Sequence, residues 1–203
     1  MAALLAVLLF AATVVVGECC ERHGAKCPDY TVVRKTEEYE ERNYPSLVWA
    51  SVSGNGKSKS DVSRTLIKQL YKYLGGENSK GGENSKGQKL DMMVPVRTAK
   101  MVHEGSNKYI MSVALTQEQS VDPPVPSNPS IYVLREQPTT YVARNFSGMA
   151  RQESIWDEHV QHLKTAVAAD PSVDSSYYYI CVYDSPWRSE NRLNEVWMKK
   201  ANN

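Results

Sequence analysis

The chain has 203 residues, long enough for one domain with a sizeable core. Its 24 Lys and Arg against 23 Asp and Glu leave a net charge of +1, with no basic field, which excludes nucleic acid as the main partner. Twelve Tyr and four Trp against two Phe point to amphipathic aromatics lining a sheet or a site rather than a plain apolar core.

Residues 1–17 carry no charged side chain and end in Val14-Val15-Val16-Gly17. This reads as a secretory signal peptide cleaved after Gly17. A membrane span needs about 20 apolar residues, and this run stops short, so the expectation is a secreted chain with no span after cleavage. A tail follows over 18–37, with one short extended piece at Thr31-Val32-Val33. The four cysteines, Cys19, Cys20, Cys27 and Cys181, are an even set in an oxidising compartment. An adjacent Cys19–Cys20 bond is strained. That leaves Cys27 bonded to Cys19 or to Cys20, with the other tied to Cys181. A zinc site is the weaker reading, because no paired C-x-x-C and no matching histidines are present.

The folded body then opens on a pattern written twice. Tyr39, Arg42, Pro45 and Ala50 recur at one common offset as Tyr132, Arg135, Pro138 and Ala143. Each copy is followed by Ser-Gly, an amphipathic helical stretch and two strand-like runs, so the chain reads as a duplicated unit with halves at about 39–117 and 131–200. In the first half, Tyr39–Tyr44 and Leu47–Val52 are predicted strands, with Pro45 in the turn. Ser60–Leu74 is a predicted helix: Ser60 can cap it, Asp61 suits its positive end, and Val62, Leu66, Leu70 and Leu74 form one stripe. Gly75–Lys80 is repeated at once as Gly81–Lys86, a surface loop to which no function is assigned. Lys89–Val96 and Lys108–Thr116 are a predicted strand pair, the first demoted to an edge or bulge by Pro95.

A proline-rich connector, Asp122–Pro129, leads to the second half. Ile131–Arg135 and Thr140–Phe146 are predicted strands. Gln152–Ala168 is the second helix, with Trp156, Val160, Leu163 and Val167 on one face, stopped by Asp170-Pro171. Tyr177–Tyr183 and Glu195–Lys199 close the chain as a strand pair. Strand-strand-helix-strand-strand, twice, implies an α+β fold: a pseudo-twofold, distorted eight-stranded antiparallel β-barrel with two helices.

Several segments carry a family resemblance. Tyr39-Glu40-Glu41-Arg42 with Trp49, Tyr73-Leu74-Gly75-Gly76, Met92-Met93-Val94-Pro95-Val96, Tyr183-Asp184-Ser185-Pro186 and Asn194-Glu195-Val196-Trp197 resemble the SOUL haem-binding family, in order and spacing, from Tyr39 to Lys200. The domain assigned on this basis spans 38–203. The resemblance implies the same pseudo-symmetric barrel. It also implies binding of haem or a related porphyrin, a small-molecule tetrapyrrole partner, without catalysis. It places the ligand beside the first helix, with Arg64 and Arg188 near the propionates and Ile67 and Tyr71 as the apolar side. Arg suits a carboxylate because its planar fork pairs bidentately. A ligand histidine proposed for one subgroup falls on Asn43, a poor iron ligand.

Other candidates are local. His159 and His162, spaced i, i+3 on the second helix, could share a metal, although two histidines make a weak site. Asn145-Phe146-Ser147 is a glycosylation sequon in a secreted chain. Glu136 could be a barrel acid, but a lone strand Glu is normally exposed. The primary expectation is a secreted tetrapyrrole carrier or scavenger. The alternative is an extracellular protein-interaction module that keeps the fold without the ligand, and an enzyme ranks last.

Overall fold

The computed structural model describes residues 20–76, 88–103 and 106–201. The expected signal segment 1–17, Cys19 and most of the tandem loop lie outside the described residues.

The elements in chain order are β1 (Glu21–Arg22), β2 (Ala25–Lys26), β3 (Thr31–Lys35), β4 (Glu40–Tyr44), β5 (Leu47–Gly56), α1 (Lys59–Leu74), β6 (Val96–His103), β7 (Ser106–Ala114), β8 (Ile131–Glu136), β9 (Thr139–Ser147), α2 (Glu153–Ala166), β10 (Val173–Val182) and β11 (Leu193–Lys200). β1 and β2 form a small hairpin. The other nine strands form one sheet in the order β3-β4-β9-β11-β10-β6-β7-β5-β8, with every neighbouring pair antiparallel.

The α+β class, the large antiparallel sheet and the two helices agree with expectation, but the sheet has nine strands where the distorted barrel was expected to have eight, and it does not close. The sheet is open, with β3 and β8 at its edges. The ninth strand is β3, from the tail, which pairs along β4 from Thr31↔Asn43 to Lys35↔Glu40. The two copies of the repeated segment cross over. β4 pairs with β9 and β5 pairs with β8, so each copy's strands pair with those of the other copy rather than with each other.

The other boundary corrections have local causes. Lys89–Val96 is not a strand. The ladder begins at Val96 because Pro95 has no N–H to contribute, and Leu90, Met93 and Val94 of the preceding segment are buried instead. Helix α1 is capped by Ser58 and not by Ser60. Asp61 N–H donates to Ser58 Oγ at 3.3 Å, and the Asp61 carboxylate accepts the Ser58 N–H at 2.8 Å, a reciprocal capping box. Ser58→Ala is expected to lower the stability of the fold by about 1 kcal/mol in chemical denaturation; no measurable loss would refute the cap.

Strand alternation sorts the core. Val48, Ala50 and Val52 of β5 with Met111 and Val113 of β7 meet Val62, Leu66, Leu70 and Leu74 of α1. Val142 of β9 with Val196 and Met198 of β11 meet Trp156, Val160 and Leu163 of α2. The alternate residues, Trp49, Tyr141, Cys181 and Trp197, form a third cluster with Tyr44 and Cys27. The helices therefore stand on one side of the strands and a Tyr/Trp-rich cluster fills the other, as the aromatic composition anticipates.

Candidate functional site

Arg64, Ile67 and Tyr71 sit at i, i+3 and i+7 of α1 and share one helix face, next to the stripe that packs on β5 and β7. The stripe is buried. Arg64 is exposed, Ile67 is half-buried at the rim of the core, and Tyr71 is 49 % exposed. A large aromatic half open to water beside an open guanidinium is a usable surface for a flat apolar molecule with an anionic edge. The strip runs over seven residue steps, roughly 10 Å along the helix.

Arg188 lies in the β10–β11 loop and is exposed, next to Trp187, which is 93 % exposed. Among the described residues, no hydrogen bond or ion pair joins the Arg188 side chain to α1. The structure thus groups three of the four proposed contacts on one face, and leaves Arg188 on a separate loop.

Two buried ion pairs brace the sheet. Arg42 of β4 donates through Nη1 and Nη2 to both oxygens of Glu195 of β11, each at 2.9 Å, and Glu195 also accepts Tyr183 Oη and Trp197 Nε1 at 2.6 Å. Arg97 of β6 donates to Glu136 Oε2 at 3.0 Å and lies over the Trp49 ring, 3.5 Å from its centroid. Trp49 Nε1 and Tyr141 Oη complete the shell of Glu136, at 2.9 and 2.7 Å. Glu136 is therefore not the lone exposed strand acid its position suggests. Three donors occupy its carboxylate, which fits a structural role.

The remaining candidates separate cleanly. Cys20 is bonded to Cys27, which closes the β1–β2 hairpin. Cys181 is a free, buried thiol, so the expected bond from Cys181 to the tail is not present. Burial among apolar side chains pushes that thiol well above its ordinary pKa. The hairpin is held instead by Asp184: Arg22 Nη2 and His23 Nε2 lie 3.1 and 3.0 Å from its carboxylate oxygens. His159 stacks on Phe146 with centroids 3.7 Å apart, and the His162 ring stands perpendicular to it at 6.1 Å. Arg144 Nη2 lies 3.5 Å from His162 Nδ1, and burial, with Arg144, holds the His159 pKa down. A guanidinium at this pair opposes a metal cation. Among the described residues, no group of three or more His, Cys, Asp or Glu could hold a metal ion.

Asn43 is exposed and lines an open groove of about 440 Å³ with Val33, Glu41, Pro138, Thr140 and Lys200. Asn145 is exposed on β9. Among the described residues, no helix is long and apolar enough to cross a membrane.

Sequence reasoning missed Arg42–Glu195 and Arg97–Glu136, because partners up to 153 residues apart in the chain meet only through strand order. A faint signal existed: charged residues at inward positions of otherwise apolar strands must find partners.

Similarity to known proteins agrees with this architecture. A "Heme-binding protein 1" of Xenopus tropicalis is 27 % identical over 165 residues, which cover 81 % of this chain and 84 % of that protein. A "Heme-binding protein 1" of Sus scrofa is 30 % identical, covering 80 % and 84 %. Among solved structures, an uncharacterized conserved protein from Listeria innocua superposes with a TM-score of 0.54 at 13 % identity, covering 82 % of this chain and 93 % of its own, and shares the fold. The family model described as "SOUL heme-binding protein" matches residues 25–199, from the start of β2 to Lys199, just short of the end of β11. With nearly every described element inside that match, the chain belongs to the SOUL heme-binding protein family.

Proposed function

We propose that this protein binds haem or a metal-free porphyrin on the open face of α1 and carries or scavenges it outside the cell. The observation that carries the reading is the grouping of Arg64, Ile67 and Tyr71 on one accessible helix face within a heme-binding family domain. Ile67 and Tyr71 would take the apolar face of the ring, and Arg64 a propionate. Arg188, on its own loop, would take the second propionate from across the ring edge. Bound haem would bring a redox-active iron; the residues named here bind and orient the ring. Export is supported by the uncharged apolar residues 1–17 and by the Cys20–Cys27 bond.

Titration of the full mature chain with haemin, followed in the Soret band, is expected to saturate at one equivalent, and protoporphyrin IX is expected to bind as well. Arg64→Ala combined with Arg188→Ala is expected to weaken both by about tenfold or more, because each replaces a charge-assisted contact. Absence of saturable binding, or identical affinity in the double variant, would sink the proposed site.

A further inference from the structure

Glu136 and Glu195 are dressed alike: each accepts from an arginine, from a Trp Nε1 and from a Tyr Oη. Their arginines differ. Arg42 serves two carboxylates, Glu195 through Nη1 and Nη2 and Glu40 through Nε at 2.9 Å. Arg97 serves one. Its side-chain hydrogen bonds both leave from Nη1, to Glu136 Oε2 and to Tyr141 Oη, each at 3.0 Å. Arg97 Nε is buried without a hydrogen-bond partner, and Nη2 donates to no atom among the described residues. Nε and Nη2 form the edge of a guanidinium that holds a carboxylate by two parallel bonds. In Arg97 that edge has no acceptor, although the residue is only 5 % exposed.

Strand register explains where this edge lies. Tyr132 of β8, Ser51 of β5, Ser112 of β7 and Arg97 of β6 stand in one cross-strand row, on the face away from the helices. The two serines are small and bond to each other at 2.8 Å. They leave room for the long Arg97 side chain to cross β7 and β5 and reach Glu136 on β8. Its guanidinium carbon lies 3.5 Å from the Trp49 centroid and 4.4 Å from that of Tyr179. The patch has an open rim: Tyr132 and Leu134 are 41 % and 55 % exposed, and Tyr179 is half-buried. Nε is sealed from water, but Nη2 beside it is not. Both helices pack on the other face of the sheet, so neither covers this rim.

We propose that Arg97 is a second ligand site, which takes the carboxylate of a small molecule with a flat apolar body on the face of the sheet opposite α1. The ligand oxygens accept from Nε and Nη2, and its apolar body lies against Tyr132 and Leu134. Glu136 holds Nη1 and thereby fixes the plane of the guanidinium. An unpartnered buried donor carries a desolvation cost, which an incoming carboxylate removes by a charge-assisted bond. Arg42, with Glu40 and Glu195, shows that one guanidinium in this fold holds two carboxylates. The site does not depend on the tetrapyrrole reading, which uses the other face.

The test is titration of the isotope-labelled full mature chain with benzoate, a flat monocarboxylate, followed by NMR at the Arg97 Nε–Hε resonance. Benzamide is the control, with the same shape and no charge. Benzoate is expected to shift the Arg97 resonance saturably, and benzamide to bind at least about tenfold more weakly. The shift is expected to persist with one equivalent of protoporphyrin IX present, because the sheet separates the two faces. Calorimetry then gives the affinities of variants. Arg97→Lys keeps a positive charge for Glu136 but loses the planar fork, so benzoate is expected to bind about tenfold more weakly or worse. Tyr132→Ala, at an exposed position, is expected to fold as the parent does and to weaken benzoate several-fold. An Arg97 resonance that benzoate leaves in place, equal affinity for benzamide, or displacement of benzoate by protoporphyrin IX would overturn the proposal. So would parental affinity in a folded Arg97→Lys protein; if that variant does not fold, the resonance in the parent chain decides alone.

Discussion

Glu195→Ala is expected to cost about 3–5 kcal/mol of folding stability, the range for removing one partner of a buried ion pair. Glu195 is 2 % exposed and Arg42 is 4 % exposed, so neither water nor salt can replace the lost partner. The alanine leaves the Arg42 guanidinium without its bidentate acceptor on β11, and it strands Tyr183 Oη and Trp197 Nε1, both of which donate to Glu195. Glu40 still holds Arg42 through Nε at 2.9 Å, which keeps the loss below that of a fully isolated charge. The diagnostic comparison is the double variant Arg42→Met with Glu195→Leu. It removes both charges, and its loss is expected to be smaller than that of Glu195→Ala. Denaturant titration of the two proteins decides the matter. A loss below about 1 kcal/mol in Glu195→Ala would mean that the pair is dispensable, as exposed pairs are.

Two adjacent residues of α1 are expected to respond in opposite ways. Leu70 is 0 % exposed and packs in the cluster that joins α1 to β5 and β7, whereas Tyr71 is 49 % exposed. Leu70→Ala removes buried methyl groups and opens a cavity, for an expected loss of about 2–5 kcal/mol. Tyr71→Ala is expected to stay within about 0.5 kcal/mol of the parent, yet to weaken haemin binding by several-fold, because its ring is available to a ligand rather than to the core. Thermal or denaturant unfolding and a Soret titration on the same two variants separate the roles. If Tyr71→Ala unfolded as readily as Leu70→Ala, the open face of α1 would be core. If it bound haemin as the parent does, the ligand would lie elsewhere.

Much of the site was legible in the sequence because a helix converts spacing into geometry without help. Val62, Leu66, Leu70 and Leu74 lie along one stripe, and Arg64, Ile67 and Tyr71 follow as the next face around. The same holds for Trp156, Val160, Leu163 and Val167. The capping box was half legible. Asp61 stood out as an acidic first-turn residue, but the sequence placed the cap at Ser60, and only the extended backbone at Ser58 moves it there. The disulfide was legible only as alternatives, since chain spacing does not reveal which thiols approach. The tail returns as a hairpin, so Cys20 meets Cys27, while Cys181 faces the interior from β10.

By itself, then, the sequence determined the class, the two amphipathic helices, most of the strands and the family, because periodicity and local motif chemistry act over a few residues. Tertiary structure alone decided that the sheet is open and not a barrel, that β4 pairs with β9 and β5 with β8, and that Arg42 finds Glu195. It also decided that Arg97 lies over Trp49 with its Nε unpartnered. Each of these depends on strand order, which the loops and the shared core select together, and no local pattern encodes which distant residue will be opposite.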